Sequence, residues 1–327
     1  MAVIGFDLGG TKLAGALFDR EGHVLFKTND SLEKRQGKAV GSLIHTQWKA
    51  LSDYAQKNTI PIQAAGMSVP GISYPDSGKV WVPNIPGWTD YPLYQELSDM
   101  IHDPLIPIHI DNDRACSLLG ELWMGNAKGC KDVIFLAVGT GIGAGILVNG
   151  QIIGGAAGAA GAIGWMALDR PFVPQYTDCG CFEYHASGEG IAKVARKFLS
   201  DAGNAYGGIL QQLSPEELRA QDVFEADKQG DVIAQRVLSP AIAYWGMAIA
   251  NLISLFNPEK IILGGGVFGP GLDYLADILQ EAQKWAQPVS VQQVKLEGAA
   301  LGPDAALYGA GYLAFQNTLQ TSSSHIL

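Results

Sequence analysis

The sequence predicts an α/β protein built from two related domains, and three observations support this prediction. The chain has 327 residues, and at roughly 100–200 residues per domain this length suggests two domains. Short apolar runs alternate with segments of helical spacing, which is typical of α/β folds. One local pattern also occurs twice: Val3-Ile4, Gly9, Ala14-Gly15, Leu17 and Asp19 recur as Val133-Ile134, Gly139, Ala144-Gly145, Leu147 and Asn149. Each copy predicts a β-hairpin with a Gly/Thr-rich turn.

The remaining elements alternate in both halves of the chain. The first half predicts a helix around 43–51, a strand over 64–69, turns through residue 88, a helix over 93–101 and a strand over 106–110. Polar residues follow this last strand, at the position where open α/β sheets bind ligands. The second half predicts helices near 190–199, 215–221 and 231–256, a strand over 261–263, and a helix over 304–315 before a frayed polar tail.

Composition excludes several classes of protein. The chain has 22 Lys and Arg against 32 Asp and Glu, a net charge of −10, which disfavours a nucleic-acid or anionic-membrane surface. Glycine accounts for 41 residues, so many backbone positions must turn tightly or approach a neighbour closely. The N-terminus does not resemble a secretory signal, and four cysteines in so long a chain do not form a disulfide framework. We expect a cytoplasmic protein that binds a small ligand.

An uncharged stretch over 133–168 has the length of a membrane span. Ten of its residues are glycine, and Thr140, Asn149 and Gln151 interrupt its apolar run. A membrane helix needs about 20 predominantly apolar residues in succession. The stretch therefore predicts strand, Gly-rich turn, strand and loop, without membrane contact.

A glycine-rich turn follows the first predicted strand, in Asp7-Leu-Gly-Gly-Thr-Lys12. Adjacent glycines let backbone N–H groups approach an anion, and Thr11 and Lys12 add a hydroxyl donor and a positive charge. An ordinary hairpin turn is the alternative. The matching turn Gly139-Thr-Gly-Ile-Gly143 favours a phosphate site, because two such turns can hold one polyphosphate between them.

These turns belong to a set of motifs that resembles the ROK family of sugar kinases and sugar-responsive repressors, within the actin-like and hexokinase ATPase superfamily. The resemblance covers nearly the whole chain. The matching segments are the two turns, Pro83-Asn84 with Gly87-Trp88, Asn112-Asp-Arg-Ala-Cys-Ser-Leu-Leu-Gly-Glu121, Gly161-Ala-Ile-Gly164 and Ile262-Leu-Gly-Gly-Gly266. The resemblance implies two actin-like (RNase H-like) α/β domains with a central cleft, over 1–115 and 116–303. A C-terminal helix and tail over 304–327 would follow, with the helix packing on the first domain.

The resemblance also implies roles for individual residues. Asp7 would hold Mg²⁺ largely through water, and a homodimer is expected. The implied ATP-binding residues are Asp7, Gly9, Gly10, Thr11, Lys12, Gly139, Thr140, Gly141, Gly143, Gly264, Gly265 and Gly266, the last three at the adenosine site. The predicted sugar-binding residues are Gly71, Asn84, Asn112, Asp113, Glu183 and Trp165.

Asp113 is the predicted catalytic base. A sugar hydroxyl is a poor nucleophile at neutral pH, so phosphoryl transfer benefits from a carboxylate that orients it and accepts its proton. Alternatively, Asn112 or Asp113 caps the helix that begins near Arg114; capping and catalysis do not exclude each other. Asn84 and Asn112 suit a ring of hydroxyls, because an amide offers both donor and acceptor. Asn84 is also a common type of turn residue.

The chain departs from the family pattern at the sugar and zinc ligands. Where the family has Gly-Glu-Ile-Gly-His, whose Glu binds sugar and whose His binds sugar and zinc, this chain has Gly161-Ala-Ile-Gly-Trp165. Only Cys179 and Cys181 remain of three cysteines. Two thiols without that His cannot complete a four-ligand site, so we predict no structural zinc; a packed or surface His185 is favoured over a substitute ligand. Glu183 matches the second sugar-binding Glu, or else it serves a helix N-terminus.

Trp165 predicts altered sugar specificity. Its ring can stack on a pyranose and its N–H can donate one hydrogen bond, but it cannot replace a carboxylate acceptor. We hypothesise a sugar modified or extended near its reducing end, or weak discrimination at C1 and C2; the simpler alternative is a common hexose.

The predicted function is ATP-dependent phosphorylation of a hexose or hexose derivative, at the terminal CH₂OH oxygen by family precedent. The alternative is a catalytically silent sugar-binding or sensing relative. The family's repressors carry a helix-turn-helix before the phosphate motif, and with Asp7 in the first strand we expect none here.

Overall fold

The computed structural model describes residues 1–323 and divides into two compact units. Unit 1 comprises Met1–Gly129, Ile152–Ala160 and the chain from Ala300 onward, and unit 2 comprises Cys130–Gln151 and Gly161–Ala299. The division after Gly129 differs from the limit of 115 expected from the sequence. Residue 115 lies inside a helix, Asp113–Met124, that belongs entirely to unit 1.

Strands and helices alternate as the sequence predicts for an α/β protein. The strands are β1 Ala2–Leu8, β2 Lys12–Phe18, β3 Val24–Ser31, β4 Ile62–Val69, β5 Ile72–Tyr74, β6 Lys79–Trp81, β7 Thr89–Tyr91, β8 Ile108–Asn112, β9 Val133–Val138, β10 Ile142–Val148, β11 Gln151–Ile152, β12 Lys260–Gly264 and β13 Lys295–Gly298. The helices are α1 Lys38–Lys57, α2 Leu93–Ile101, α3 Asp113–Met124, α4 Tyr176–Cys179, α5 Cys181–Ala186, α6 Gly188–Ala202, α7 Ala220–Lys228, α8 Val232–Phe256, α9 Leu275–Trp285, α10 Ser290–Gln293 and α11 Ala305–Ser323.

The main sheet of unit 1 has the strand order β3-β2-β1-β4-β8. β1 and β2 form the predicted antiparallel hairpin, and β4 and β8 continue the sheet in parallel. Side chains alternate between the faces of a strand, so Ile4 and Phe6 pack with α1 in one apolar cluster while Val3 packs with α3 and α11 in another. Asp7 has the parity of Val3 and therefore points to the face that α3 and α11 cover. The segment predicted as turns through residue 88 also contains β5 and β6, which form a small sheet with β7.

The sheet of unit 2 has the corresponding order, β11-β10-β9-β12-β13. β9 and β10 form the second predicted hairpin, and β12 and β13 run parallel to β9. The uncharged stretch 133–168 is thus built from strands and loops, as predicted. In the described part of the chain, α8 alone has the length and apolar composition of a membrane span, and 61% of its most apolar window is buried inside the protein. Burial of this kind is typical of a core helix.

The last helix lies so close to the sheet of unit 1 and to α3 that only glycine fits at the contacts. A Cβ on Gly66 would lie 1.9 Å from the carbonyl oxygen of Ala310, and one on Gly309 would lie 1.6 Å from the carbonyl oxygen of Cys116. Gly5, Gly120 and Gly311 are also too close to their neighbours across this contact for a Cβ to fit without movement. Part of the glycine excess therefore serves helix packing.

A buried carboxylate fixes the chain just before α11. Glu121 is fully buried, and its carboxylate oxygens accept backbone N–H groups of Asn126 at 2.8 Å, Leu301 at 2.9 Å and Ala300 at 3.2 Å. Charge-assisted hydrogen bonds of this kind are among the stronger ones in proteins. Glu121 thereby ties the C-terminal end of α3 to the segment that leads into α11.

Two predicted helix limits were wrong. The helix expected over 215–221 begins only at Ala220, because the carbonyls of Pro215 and Leu218 accept hydrogen bonds from the guanidinium of Arg196 instead of continuing a helix. The final helix continues to Ser323 rather than ending near Phe315. Of the tail predicted to be frayed, 324–327 lies outside the described residues.

Candidate active site

The turn between β1 and β2 is held by backbone hydrogen bonds on one side and leaves open space at Gly10. The N–H of Gly9 donates to the carbonyl of Lys12 at 2.8 Å, and the carbonyl of Thr11 accepts the N–H of Leu32 at 2.8 Å. A Cβ on Gly10 would meet no atom within 4 Å. Glycine is therefore not required at this position by the protein's own packing, and its absent side chain leaves space where an anion can approach the backbone.

Asp7 lies one residue before the end of β1, beside this turn, and is 9% exposed. Burial raises its pKa to about 6, and the negative charges of Asp113 and Asp304 add to this rise while Lys12 opposes it. Asp113 and Asp304 stand at the N-terminal ends of α3 and α11. Helix N-termini carry partial positive charge, which favours anionic groups there.

The carboxylate of Asp7 has the chemistry of a Mg²⁺ ligand. Mg²⁺ binds one or two carboxylates and retains several waters. Asp304 pairs with Lys27 at 2.7 Å and Asp113 is the predicted base, so Asp7 is the candidate ligand. Asp304 was not predicted from the sequence, because no motif marks an isolated Asp before a helix.

Replacing Asp7 by Asn is expected to stabilise the fold at neutral pH. A raised pKa means that the folded state binds the proton more tightly than the unfolded state, so ionisation costs stability. The penalty is absent below the unfolded pKa near 4, grows towards pH 6, and reaches about 2–3 kcal/mol above it. Urea unfolding at pH 7.5 should show this gain for Asp7→Asn, and at pH 4.5 most of it should disappear.

The exposed Asp53 on α1 provides the matched control for this substitution. Asp53→Asn should change the free energy of unfolding little at either pH. A loss of stability in Asp7→Asn at pH 7.5 would contradict the proposed cost of burying this charge.

Asn112 and Asp113 begin α3. Asn112 is the N-cap, and its Oδ1 accepts the N–H of Ala115 at 3.0 Å while its Nδ2 donates to Asp111 at 2.9 Å. Its amide is therefore partly occupied within the protein. The carboxylate of Asp113 is 46% exposed and lies 3.9 Å from Nε of Arg114. Desolvation raises the pKa of Asp113, and the positive charge of Arg114 lowers it. Because nearly half of the Asp113 side chain is exposed to water, the rise in its pKa is limited.

The other predicted sugar residues of unit 1 differ in their surroundings. A Cβ on Gly71 would lie 2.0 Å from the carbonyl oxygen of Trp81, so this glycine is needed for the approach of β6. Asn84 is exposed, and among residues 1–323 its side-chain amide has no hydrogen-bond partner. Asn84 is therefore free to bind a ligand.

The second Gly/Thr turn is tied to neighbouring helices. The N–H of Gly139 donates to Gly141 at 2.9 Å, and the carbonyl of Gly139 accepts the N–H of Gly188 at 2.8 Å. Glu183 on α5 accepts the N–H of Ile142 at 2.6 Å. Burial raises the pKa of Glu183 while this hydrogen bond lowers it. Like Gly10, Gly139 leaves open space in front of the turn, whereas Gly143 lies within β10.

A cavity of about 510 Å³ joins this turn to the end of β12. Gly139 and Thr140 line one part of the cavity, and Gly266 lines another. The other two glycines of that triplet lie outside the lining. A Cβ on Gly264 would meet the ring of Phe135 at 2.3 Å, and Gly265 adopts φ +89°.

Arg196 also lines the cavity and was not predicted. Its guanidinium donates to the carbonyls of Pro215 at 2.8 Å and Leu218 at 3.0 Å, and to Glu189 at 3.1 Å. These bonds fix the plane of the group. No local sequence pattern marks Arg196, because two of its three partners, Pro215 and Leu218, lie in a loop far along the chain.

The segment that departs from the family pattern exposes its tryptophan. Trp165 ends a short 3-10 turn and is 58% exposed. Gly164 lies against Glu183, because a Cβ there would meet the carboxylate at 2.9 Å.

His185, near the position where the family pattern has zinc ligands, packs among aromatic side chains. His185 Nε2 and the hydroxyl of Tyr176 are 2.7 Å apart, and the His185 ring stacks on Tyr244 with centroids 4.4 Å apart. Cys181 is buried and Cys179 half-buried. Within 1–323, the one group of three or more potential metal ligands found together is Asp19, Glu21 and His23. His185 is thus packed, and absence of zinc stays a prediction.

Two sheets of the same order, each with a Gly/Thr turn between paired strands, define an actin-like α/β protein. The family model described as the ROK family matches residues 3–317, and the chain belongs to this family.

Three relatives illustrate the range of the family. A glucokinase of Halalkalibacterium halodurans is 33% identical over 321 residues, covering 96% of this chain and 94% of the relative. The structure of a Streptomyces griseus ROK glucokinase in complex with glucose and AMPPNP is 27% identical with a TM-score of 0.77, covering 97% of this chain and all of that one. A xylose repressor of Caldicellulosiruptor bescii is 28% identical, covering 92% of this chain and 76% of the repressor.

Proposed function

We propose that this chain is an ATP-dependent sugar kinase that phosphorylates a hexose or hexose derivative, at the oxygen of the terminal CH₂OH group. The observation that carries the proposal is the cavity of unit 2, in which an open Gly/Thr turn and Gly266 line one space large enough for a nucleotide. Full-length similarity to glucokinases supports the class of reaction.

Asp113 serves as the base in this proposal. The sugar oxygen attacks the γ-phosphorus of ATP, the bond to the bridging oxygen of ADP breaks, and the hydroxyl proton passes to the Asp113 carboxylate. A raised pKa makes this carboxylate a better proton acceptor than an ordinary aspartate. Asp7 would hold Mg²⁺ largely through water, and the ion would neutralise charge on the phosphates.

The phosphates would bind the backbone of both turns. Gly10 and Thr11 offer N–H groups in unit 1, as Thr140 and Gly141 do in unit 2, and Lys12 adds a positive charge. Gly9 and Gly139, whose N–H groups are bonded within the turns, would hold the turns in shape. Gly266 would lie beside the adenosine. Sugar binding is proposed for Gly71, Asn84 and Asn112 of unit 1 and for Glu183 and Trp165 of unit 2.

A silent sugar-binding or sensing role is the second candidate, favoured by the similarity to a xylose repressor. Retention of Asp7, Lys12 and Asp113 argues against it, because binding a sugar without phosphoryl transfer does not need them. The net charge of −10 disfavours DNA as a partner. We further propose a homodimer in the cytoplasm, where the four free cysteines would stay reduced.

ADP release with glucose, mannose, fructose, their N-acetyl amines and β-glucosides tests the proposal. We expect sugar-dependent release that requires Mg²⁺. No release with any sugar, combined with sugar binding by calorimetry, would instead support the silent role. Strong and selective turnover of glucose would reject the hypothesis that Trp165 alters specificity.

A further inference from the structure

Besides the cavity of unit 2, the protein has a pocket of about 490 Å³ in unit 1, beside the turn between β1 and β2. Its walls are the segment 31–36, which follows β3, and the segment 84–86. Gly10 and Thr11, which are also proposed to bind phosphate, line one part of the pocket, and Asn84 lines both this pocket and the proposed sugar site. None of its lining residues belongs to the nucleotide cavity of unit 2.

Backbone hydrogen bonds fix the two walls of the pocket to each other. Gly37, just beyond the first wall, donates its N–H to the carbonyl of Pro86 at 2.9 Å and accepts the indole N–H of Trp88 at 3.0 Å. Trp88 is fully buried and stacks on Tyr91 with centroids 4.2 Å apart. The pocket is therefore preformed, which lowers the cost of ordering a ligand in it.

Several polar side chains in the pocket lack partners. Across residues 1–323, no hydrogen bond or ion pair is found for the side chains of Lys34, Gln36 or Asn84. Arg35 is different, because it is paired with Glu33 at 3.2 Å and donates to the carbonyl of Ser31. The pocket thus presents one amine and two amides to a ligand.

The backbone places Lys34 in an unusual conformation. Glu33 and Lys34 have φ of +46° and +63°, a left-handed region that non-glycine residues seldom adopt. Such strain costs of order 1 kcal/mol or more per residue and is concentrated at functional sites. Glycine at either position would relieve it, so the side chains are kept at a cost to stability.

We propose that this pocket is a subsite for a second sugar ring, so that the substrate is a hexose carrying another sugar. The volume exceeds what a phosphate or acetyl group fills and lies within the range of small-molecule sites. Amides and an amine match ring hydroxyls, since they supply donors and acceptors, and Pro86 offers an apolar surface for the ring C–H groups. Asn84 would lie between the phosphorylated ring and the second one. The inference rests on the proposed kinase function.

Kinetics with glucose, cellobiose and maltose test this assignment in the wild-type chain. We expect at least one disaccharide to have a kcat/KM equal to or above that of glucose. Phosphorylation of glucose, without turnover or calorimetric binding of either disaccharide, would overturn the subsite and leave the kinase function intact. Failure of all three sugars and of every other hexose would remove both proposals.

Two variants locate the second ring. Gln36→Trp fills the pocket, and Lys34→Gly removes the amine while relieving the backbone strain. Each should lower the ratio of disaccharide kcat/KM to glucose kcat/KM by about tenfold, which is the effect of losing one good hydrogen bond. The change should come from a higher KM for the disaccharide. Gln56→Trp, an identical change on the exposed face of α1, should leave the ratio unchanged. An unchanged ratio in both pocket variants would place the second ring elsewhere.

Discussion

Asp113→Asn is expected to lower kcat by about three orders of magnitude, because general-base catalysis contributes about 10²–10⁴ to a rate. The amide keeps the size of the side chain but cannot accept the hydroxyl proton. Asn112, rather than Asp113, is the N-cap of α3, so folding should not suffer, and KM for the sugar should change little. ADP release at saturating sugar, with circular dichroism as the check on folding, gives the result.

The pH dependence supplies a second readout for Asp113. The carboxylate must be ionised to accept a proton, so kcat/KM should fall as pH decreases through its pKa. Desolvation raises that pKa above the ordinary aspartate value, and the acid limb should therefore lie at a higher pH than an ordinary aspartate would give. Asp113→Asn should lose this limb, whereas the exposed control Asp53→Asn should keep both rate and limb. Equal activity in wild type and Asp113→Asn would remove Asp113 as the base.

Gly309→Ala should destabilise the chain by about 4 kcal/mol. The new Cβ would lie 1.6 Å from the carbonyl oxygen of Cys116, and backbone on both sides leaves no flexible atom to yield. Overpacking costs about 1–3 kcal/mol where side chains can adjust, and more is expected where α11 must move away from α3. Urea unfolding followed by circular dichroism measures the change.

Gly154→Ala is the matched control in the same unit. A Cβ there meets nothing within 4 Å and the backbone φ is not in the left-handed region. This variant should be neutral or more stable by a few tenths of a kcal/mol, because alanine restricts the unfolded chain. Similar stability in Gly309→Ala and Gly154→Ala would show that α11 can shift without cost.

Local patterns made much of the fold predictable. The two hairpins were visible as a repeat, and α8 was visible from its capping Asp231 to Asn257, whose left-handed conformation ends the helix. Asp113 was predicted at a strand exit because the polar residues follow β8 directly. In each case the residues that form the element also contain the sequence pattern that predicts it.

Features that depend on distant contacts were not predictable. The start of α7 was wrong because Arg196, in another helix, binds the preceding carbonyls. The glycines beneath α11 carry no signal of their own, since the residues they contact are far away in sequence. The charge of Asp304 raises the pKa of Asp7, and this effect was also not predictable, because the two residues are far apart in the sequence.

The position of α11 in the chain affects the order in which the protein can form during synthesis. Unit 1 needs β1 from the beginning of the chain and α11 from beyond residue 304, whereas unit 2 needs nothing beyond Ala299. Domains generally fold as units while the ribosome is still adding residues. Unit 2 can thus be complete while Val3 and Ala64, which α11 later covers, still face water. Until α11 emerges, this apolar face stays exposed, and exposed apolar surface favours aggregation of the nascent chain.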